Sequence, residues 1–276
     1  MAAILLALTL VAYFGGTAAY LAYVFAQREG FSRAGAVCLA AGWLAHTGDI
    51  LRRTLMEGRL PMATPGEALF IFGWTLTAIF LLLTWRSPIR ILGALVAPCA
   101  ALLATAVWLL PPRPGRVSPL LQGFWLHLHV VLALLGTAAL TLAGLGGLLY
   151  LLQERQLKQK RFGFFYRRLP SLTQLDTLNH WCLTLGFPLL TLGIITGSLY
   201  AQLALGRFFN WDPKEVLTLI AWLIYAVLLH ERLTVGWRGR RAAWLALGGL
   251  GVMAAAFVGA SLWFSGYHSF GSFRTP

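Results

Sequence analysis

Asn210-Trp211-Asp212-Pro213-Lys214-Glu215 is a polar island between two apolar runs, Leu183–Leu205 before it and Val216–Leu229 after it. Runs of that length are read as membrane-embedded, and a charged cluster at their junction belongs at a bilayer surface where something is bound or positioned. Local structure accounts for part of the cluster. Asp212 suits an N-cap, Pro213 the first helical position, and Glu215 the third, in a pattern like a capping box. It accounts neither for Trp211 nor for Lys214, whose charge the helix N-terminus disfavours. The following run ends at His230; His268 lies near the C-terminus and His129 well upstream.

Working outward, 58% of the 276 residues are hydrophobic and 11% charged. The mean hydropathy is +0.72. A soluble domain is about half apolar and a quarter charged, so the solvent here is lipid. The net charge of +13 reads as loops facing an anionic leaflet, with no nucleic acid as partner. Cys38, Cys99 and Cys182 stand singly in apolar stretches with no C-x-x-C. They read as buried thiols without redox or zinc chemistry. Met1 to Ala26 reads as a retained first span.

Eight segments have the length and apolarity of membrane spans, which take roughly 20 residues. They are Ile4–Ala26, Ala34–Ile50, Glu67–Trp85, Ile91–Leu110, His129–Leu152, Cys182–Leu205, Val216–Glu231 and Ala242–Phe264, the second and seventh being short. The expected fold is all-α, a polytopic membrane helix bundle occupying 1–276 as one domain. Its N-terminal half covers about 1–110 and the half carrying the polar island about 111–276. The loops Gln27–Arg33, Arg86–Arg90, Glu154–Trp181 and Arg232–Arg241 hold 14 of the 22 Lys/Arg. The positive-inside bias makes them cytoplasmic and puts both termini, the polar island, His129 and His268 outside. The loop Glu154–Pro170 interleaves six basic residues with Phe162, Phe164, Phe165 and Tyr166. That is the pattern of an interfacial segment, and it also suits a docking surface.

His129 opens the fifth span and His268 follows the eighth, both at the outer surface. Two neutral imidazoles approaching from opposite faces can ligate haem iron. Trp125, Phe208, Phe209, Trp211 and Tyr267 could cover a porphyrin; the same residues also read as anchors of helix ends. His230 stands fifteen residues past Glu215, roughly 22 Å along a helix. It is a membrane-embedded candidate or, with Glu231 and Arg232 following, a snorkelled helix end. His46 with Trp43 and Asp49, and Glu67 at a helix start, read as an outer polar contact or as capping and paired burial. His180 reads as interfacial.

Trp211-Asp-Pro-Lys-Glu215, a helix ending Leu229-His-x-Arg232, and a last span ending Gly266-x-His268-Ser resemble the CcsA (ResC) cytochrome c assembly proteins. This is a branch of the CcmC/CcmF-like haem-handling superfamily with a tryptophan-rich outer loop. Trp125-Leu-x-x-His129-Val, His46, Arg52-Arg53 and Glu67-Ala-Leu-Phe-Ile-Phe-Gly-Trp74 extend the resemblance over essentially the whole chain.

The resemblance implies that His129 and His268 are outer axial ligands of haem b beneath the loop formed by Phe208, Phe209, Trp211 and Asp212. It implies that His230 is a membrane-embedded ligand whose partner histidine comes from a CcsB/ResB-like subunit. Haem would be presented to the C-x-x-C-H motif of apocytochrome c, with thiol reductant proteins as further partners. The chain would be the haem-handling subunit of a cytochrome c synthase (haem lyase) in a bacterial cytoplasmic or thylakoid-type membrane. No catalytic nucleophile or base is assigned. The family's loop usually carries several tryptophans; Phe209, Leu205 and Tyr200 stand in those places here. His127 is extra and competes with His129. The alternatives are a HemX-like haem-binding or regulatory protein without attachment activity and, from another class, a small-molecule transporter.

Overall fold

Asp49 is fully buried in the middle of what hydropathy reads as the end of a short span, yet the helix runs through it. Arg52 donates to its Oδ1 at 2.9 and 3.1 Å, and Arg53 to its Oδ2 at 3.0 Å. These are i+3 and i+4 neighbours on one helix face. Charges satisfied within a helix need not terminate it, so helix α2 spans Glu29–Glu57, well beyond the expected Ala34–Ile50. The computed structural model describes residues 2–62, 64–86, 89–110, 116–117, 123–160, 162–259 and 274–275.

The chain divides into two compact units, Met1–Arg113 and Pro114–Pro276. The first contains α1 (Ala2–Ala26), α2, α3 (Pro65–Arg86) and α4 (Arg90–Leu109). α1 packs on α2 and α4, and α3 packs on α4. Tyr13, Tyr20, Leu39, Phe70, Phe80 and Leu92 are almost wholly buried there. His46 Nδ1 lies 3.2 Å from the Tyr13 hydroxyl, and its ring is 3.9 Å from that of Phe70. Glu67, at the start of α3, pairs with Arg59 at 3.2 Å. Trp43 stacks on Trp74, whose Nε1 donates to Thr47 at 2.8 Å.

The second unit contains α5 (Phe124–Lys158), the short α6 (Phe164–Arg168), α7 (Leu172–Leu205), α8 (Pro213–Thr234) and α9 (Arg240–Ala254), continued by a π-helical turn to Gly259. A two-residue antiparallel bridge pairs β1 (Arg116–Val117) with β2 (Arg274–Thr275). Helix α7 begins ten residues before the expected Cys182. Ser171 accepts from the Gln174 amide, and Gln174 returns the bond to the Ser171 amide, a complete capping box. His180 therefore sits in the third turn of a helix. Its Nδ1 is buried without a hydrogen-bond partner among the described residues. Helix α8 likewise has 22 residues, longer than the expected Val216–Glu231.

Helices α5 and α7 form the main packing pair. Close approach is what their small residues permit: a Cβ on Gly136 would lie 2.5 Å from the Leu190 amide nitrogen. Leu140, Leu183, Leu190, Tyr225, Leu228 and Met253 form the core between α5, α7, α8 and α9. Among the described residues, seven helices, α1–α5, α7 and α8, are long and apolar enough to cross a membrane. The expected eighth span begins as α9, and its residues after Gly259 lie outside the described set. The fold is that of a polytopic helical membrane protein.

Candidate functional site

The loop between α7 and α8 is built by its ends. α7 stops at Gly206, in the left-handed region at φ 70°, where only glycine is unstrained. Asp212 caps α8, accepting the Lys214 amide at 2.9 Å, with Pro213 next. Glu215 does reach back, but past the cap. Its carboxylate accepts the Asn210 amide at 2.8 Å and the Asn210 side-chain amide at 3.4 Å. Residues on both sides of Trp211 are thus pinned, and Trp211 itself holds φ 57°. A left-handed conformation costs roughly 1–2 kcal/mol for such a residue and persists where neighbours over-determine it. The consequence is an indole turned outward, 79% exposed. Phe209 meets it edge to face at 5.1 Å, and Phe208 is exposed beside them. Lys214, anomalous from sequence, places its ammonium 5.5 Å from the Phe257 ring centroid, a cation–π contact.

His129 occupies the second turn of α5, partly buried against α7. Its Nδ1 is 2.7 Å from the Gly193 carbonyl oxygen. A carbonyl only accepts, so Nδ1 carries the proton and the lone pair is on Nε2. This is the arrangement of a metal-ligating histidine, whose second nitrogen donates to a backbone carbonyl that fixes ring and tautomer. Gly197 makes the room: a Cβ there would lie 2.5 Å from Nδ1 and 2.6 Å from Cε1. Gly197 stands nine residues before Gly206, so the imidazole lies about 13 Å along α7 from the loop. Trp125, one turn earlier on α5, is 43% exposed and packs edge to face on Phe124. His127 differs: its Nε2 is buried, with no hydrogen-bond partner among the described residues.

His230 is near the other end of α8 and is exposed. It continues an outward apolar stripe of Ile220, Leu223 and Val227. Its neighbour Arg232 turns inward and donates to both Asp176 carboxylate oxygens at 2.8 and 3.0 Å. Asp176 also accepts the Gly239 amide at 2.8 Å. His268 and Tyr267 lie outside the described residues. Among the described residues, no three His, Cys, Asp or Glu side chains converge to hold a bare metal ion.

Sequence reasoning overlooked Gly193 and Gly197. The signal was there: Gly193-Ile-Ile-Thr-Gly197 is a G-x-x-x-G in an apolar segment, which marks a close helix contact.

A family model of cytochrome C assembly proteins matches residues 63–268. The cytochrome c biogenesis protein CcsA of Chlamydomonas reinhardtii is 35% identical over 234 residues, covering 82% of this chain and 65% of its own length. CcsA of a Synechococcus strain is 35% identical over 271 residues, 88% of each chain. That of Synechococcus elongatus is 32% identical over 310 residues, 96% of this chain and 94% of the relative. Among solved structures, a cytochrome c haem lyase, CcmF, shares the fold with a TM-score of 0.66 at 19% identity. The match covers 94% of this chain but 48% of that one, so the chain spans about half the length of CcmF.

Proposed function

The chain belongs to the cytochrome C assembly protein family, and from that premise we propose that it binds haem b and presents it at the outer membrane face for attachment to apocytochrome c. Its place is in cytochrome c biogenesis. The observation that carries the reading is His129, whose Nδ1–H donates to the Gly193 carbonyl and so has its ring and tautomer fixed as in a metal-ligating histidine. The fit is that of an oriented neutral imidazole in a space that any side chain at position 197 would fill. We assign the ligand to His129 over His127 because the Gly193 carbonyl orients the His129 ring.

Haem, when bound, supplies the iron that takes imidazole nitrogen and the vinyl groups to which cysteine thiols add, the thiol hydrogen passing to carbon. The protein's residues do the positioning. Asn210, Asp212 and Glu215 fix the loop backbone, so Trp211 and Phe209 offer a rigid aromatic surface to a flat apolar ligand. The second outer ligand is His268. The β1–β2 bridge joins the chain after His268 to the chain before α5: Arg274, six residues past His268, pairs with Val117, seven residues before the start of α5. His230 is the inner ligand; its exposure on an apolar stripe supports a second imidazole from a CcsB/ResB-like subunit rather than from this chain. Thiol reductant proteins would keep the apocytochrome cysteines reduced. The membrane is a bacterial cytoplasmic or thylakoid-type one, with both termini outside.

A second reading, HemX-like haem binding without attachment, draws on the loop's single tryptophan, with Phe209, Leu205 and Tyr200 where the resemblance expects others. Complementation separates the two. In a strain lacking the native gene, His129→Ala or His268→Ala is expected to abolish haem-stained c-type cytochrome, with partial return on adding imidazole. Full maturation in both variants would rule out attachment through these ligands.

A further inference from the structure

At the end of α5 remote from His129, a cavity of about 410 Å³ opens between α5 and α9. Glu154 lies 25 residues past His129, about 37 Å along the helix, which exceeds a hydrocarbon core of about 30 Å. The cavity therefore belongs to the opposite membrane face, the one the Lys/Arg bias makes cytoplasmic. Its floor is apolar: Leu148, Leu151 and Leu152 from α5, Trp244 and Leu247 from α9. Trp244 is 55% exposed and Leu152 43%.

The rim is cationic. Arg155, Lys158 and Arg240 surround one carboxylate, Glu154. Glu154 holds Lys158 at 2.7 Å and Arg240 at 3.7 Å, tying the two helices across the cavity mouth. Arg155 forms no ion pair among the described residues. Three cations against one acid leave two positive charges over a greasy slot.

We propose that this groove binds one anionic phospholipid of the cytoplasmic leaflet, its acyl chain on the leucine and Trp244 floor and its phosphate among Arg155, Lys158 and Arg240. Basic pockets between membrane helices on that side suit such headgroups, and the volume falls within the range of small-ligand sites. A helix is a poor occupant. At about 10 Å across, one turn fills roughly 420 Å³, so the cavity would take a single turn. A free phosphate would leave the apolar floor empty.

The test uses the full chain purified in detergent, with phosphatidylglycerol, phosphatidylcholine or inorganic phosphate added, and native mass spectrometry to read retained ligand. Phosphatidylglycerol is expected to be retained over phosphatidylcholine. Arg155→Gln and Lys158→Gln are each expected to weaken retention about fivefold, and together about 25-fold. Arg167→Gln, which removes an exposed charge on the same side, is expected to leave it unchanged. Lipid with bromine-labelled chains is expected to quench tryptophan emission, by less in Trp244→Phe. Equal retention of the two lipids, an unaffected Arg155→Gln, Lys158→Gln pair, displacement by inorganic phosphate alone, or equal quenching in Trp244→Phe would overturn the proposal.

Discussion

Gly197→Ala is the smallest change that should disturb the proposed haem site without touching a proposed ligand. The added Cβ would stand 2.5 Å from His129 Nδ1, against an ordinary contact of about 3.5 Å. The ring must retreat by about 1 Å. The 2.7 Å bond to Gly193 then lengthens past the limit of about 3.2 Å for a useful N–H···O bond. Losing the bond that orients a metal-ligating histidine typically costs 10–100-fold in affinity. Helix propensity acts the other way, because alanine stabilises a helix interior by about 1 kcal/mol over glycine. The variant should therefore stay folded while losing haem, a combination that general destabilisation would not produce. Haem titration followed by absorption, with thermal unfolding in the same detergent, reads both. Gly248→Ala, where a Cβ meets nothing within 4 Å, is the control. Unchanged haem affinity and spectrum in Gly197→Ala would refute the claim that Gly193 and Gly197 position His129.

Three further outcomes follow from contacts in the second unit. Gly136→Ala forces a methyl within 2.5 Å of the Leu190 backbone; thermal unfolding in detergent should show a loss of about 1–3 kcal/mol, and an unchanged midpoint would mean that the α5–α7 contact is looser. Arg232→Ala leaves Asp176 without its bidentate partner, the two side chains being 5% and 18% exposed; the expected cost is about 3–5 kcal/mol, and Asp176→Asn should cost less because the amide still accepts from Gly239. Asp212→Ala removes the α8 cap, worth about 1 kcal/mol; hydrogen exchange of the Lys214 and Glu215 amides should quicken several-fold while that of α5 amides does not.

Much of the fold is legible because hydropathy and length suffice to find a membrane helix. What hydropathy misplaces are ends that carry charge. Asp49 closes off an apolar run in the sequence, but Arg52 and Arg53 satisfy it from the same helix, so α2 continues. Ser171 to His180 looks like loop because it is polar, whereas a capping box starts α7 there. The capping of α8 by Asp212 and Pro213 is readable from local rules. The clasp of Glu215 on Asn210 is not, since the rule places the N–H donor to that carboxylate at the cap itself, two residues later. Likewise His129, with His127 beside it, stands out as a polar residue at a span's start. Its tautomer depends on a carbonyl 64 positions away, information that no local pattern carries.

The most direct test of the central claim is the oxidised and reduced absorption spectrum of the protein purified with the proposed CcsB/ResB-like partner, as wild type and as His129→Ala, His268→Ala and His230→Ala. The account predicts a reduced low-spin haem spectrum that His129→Ala and His268→Ala each alter, with external imidazole restoring it, while His230→Ala removes a separate contribution. Haem that is lost only in the His230 variant and indifferent to both outer histidines would contradict an outer site built on His129.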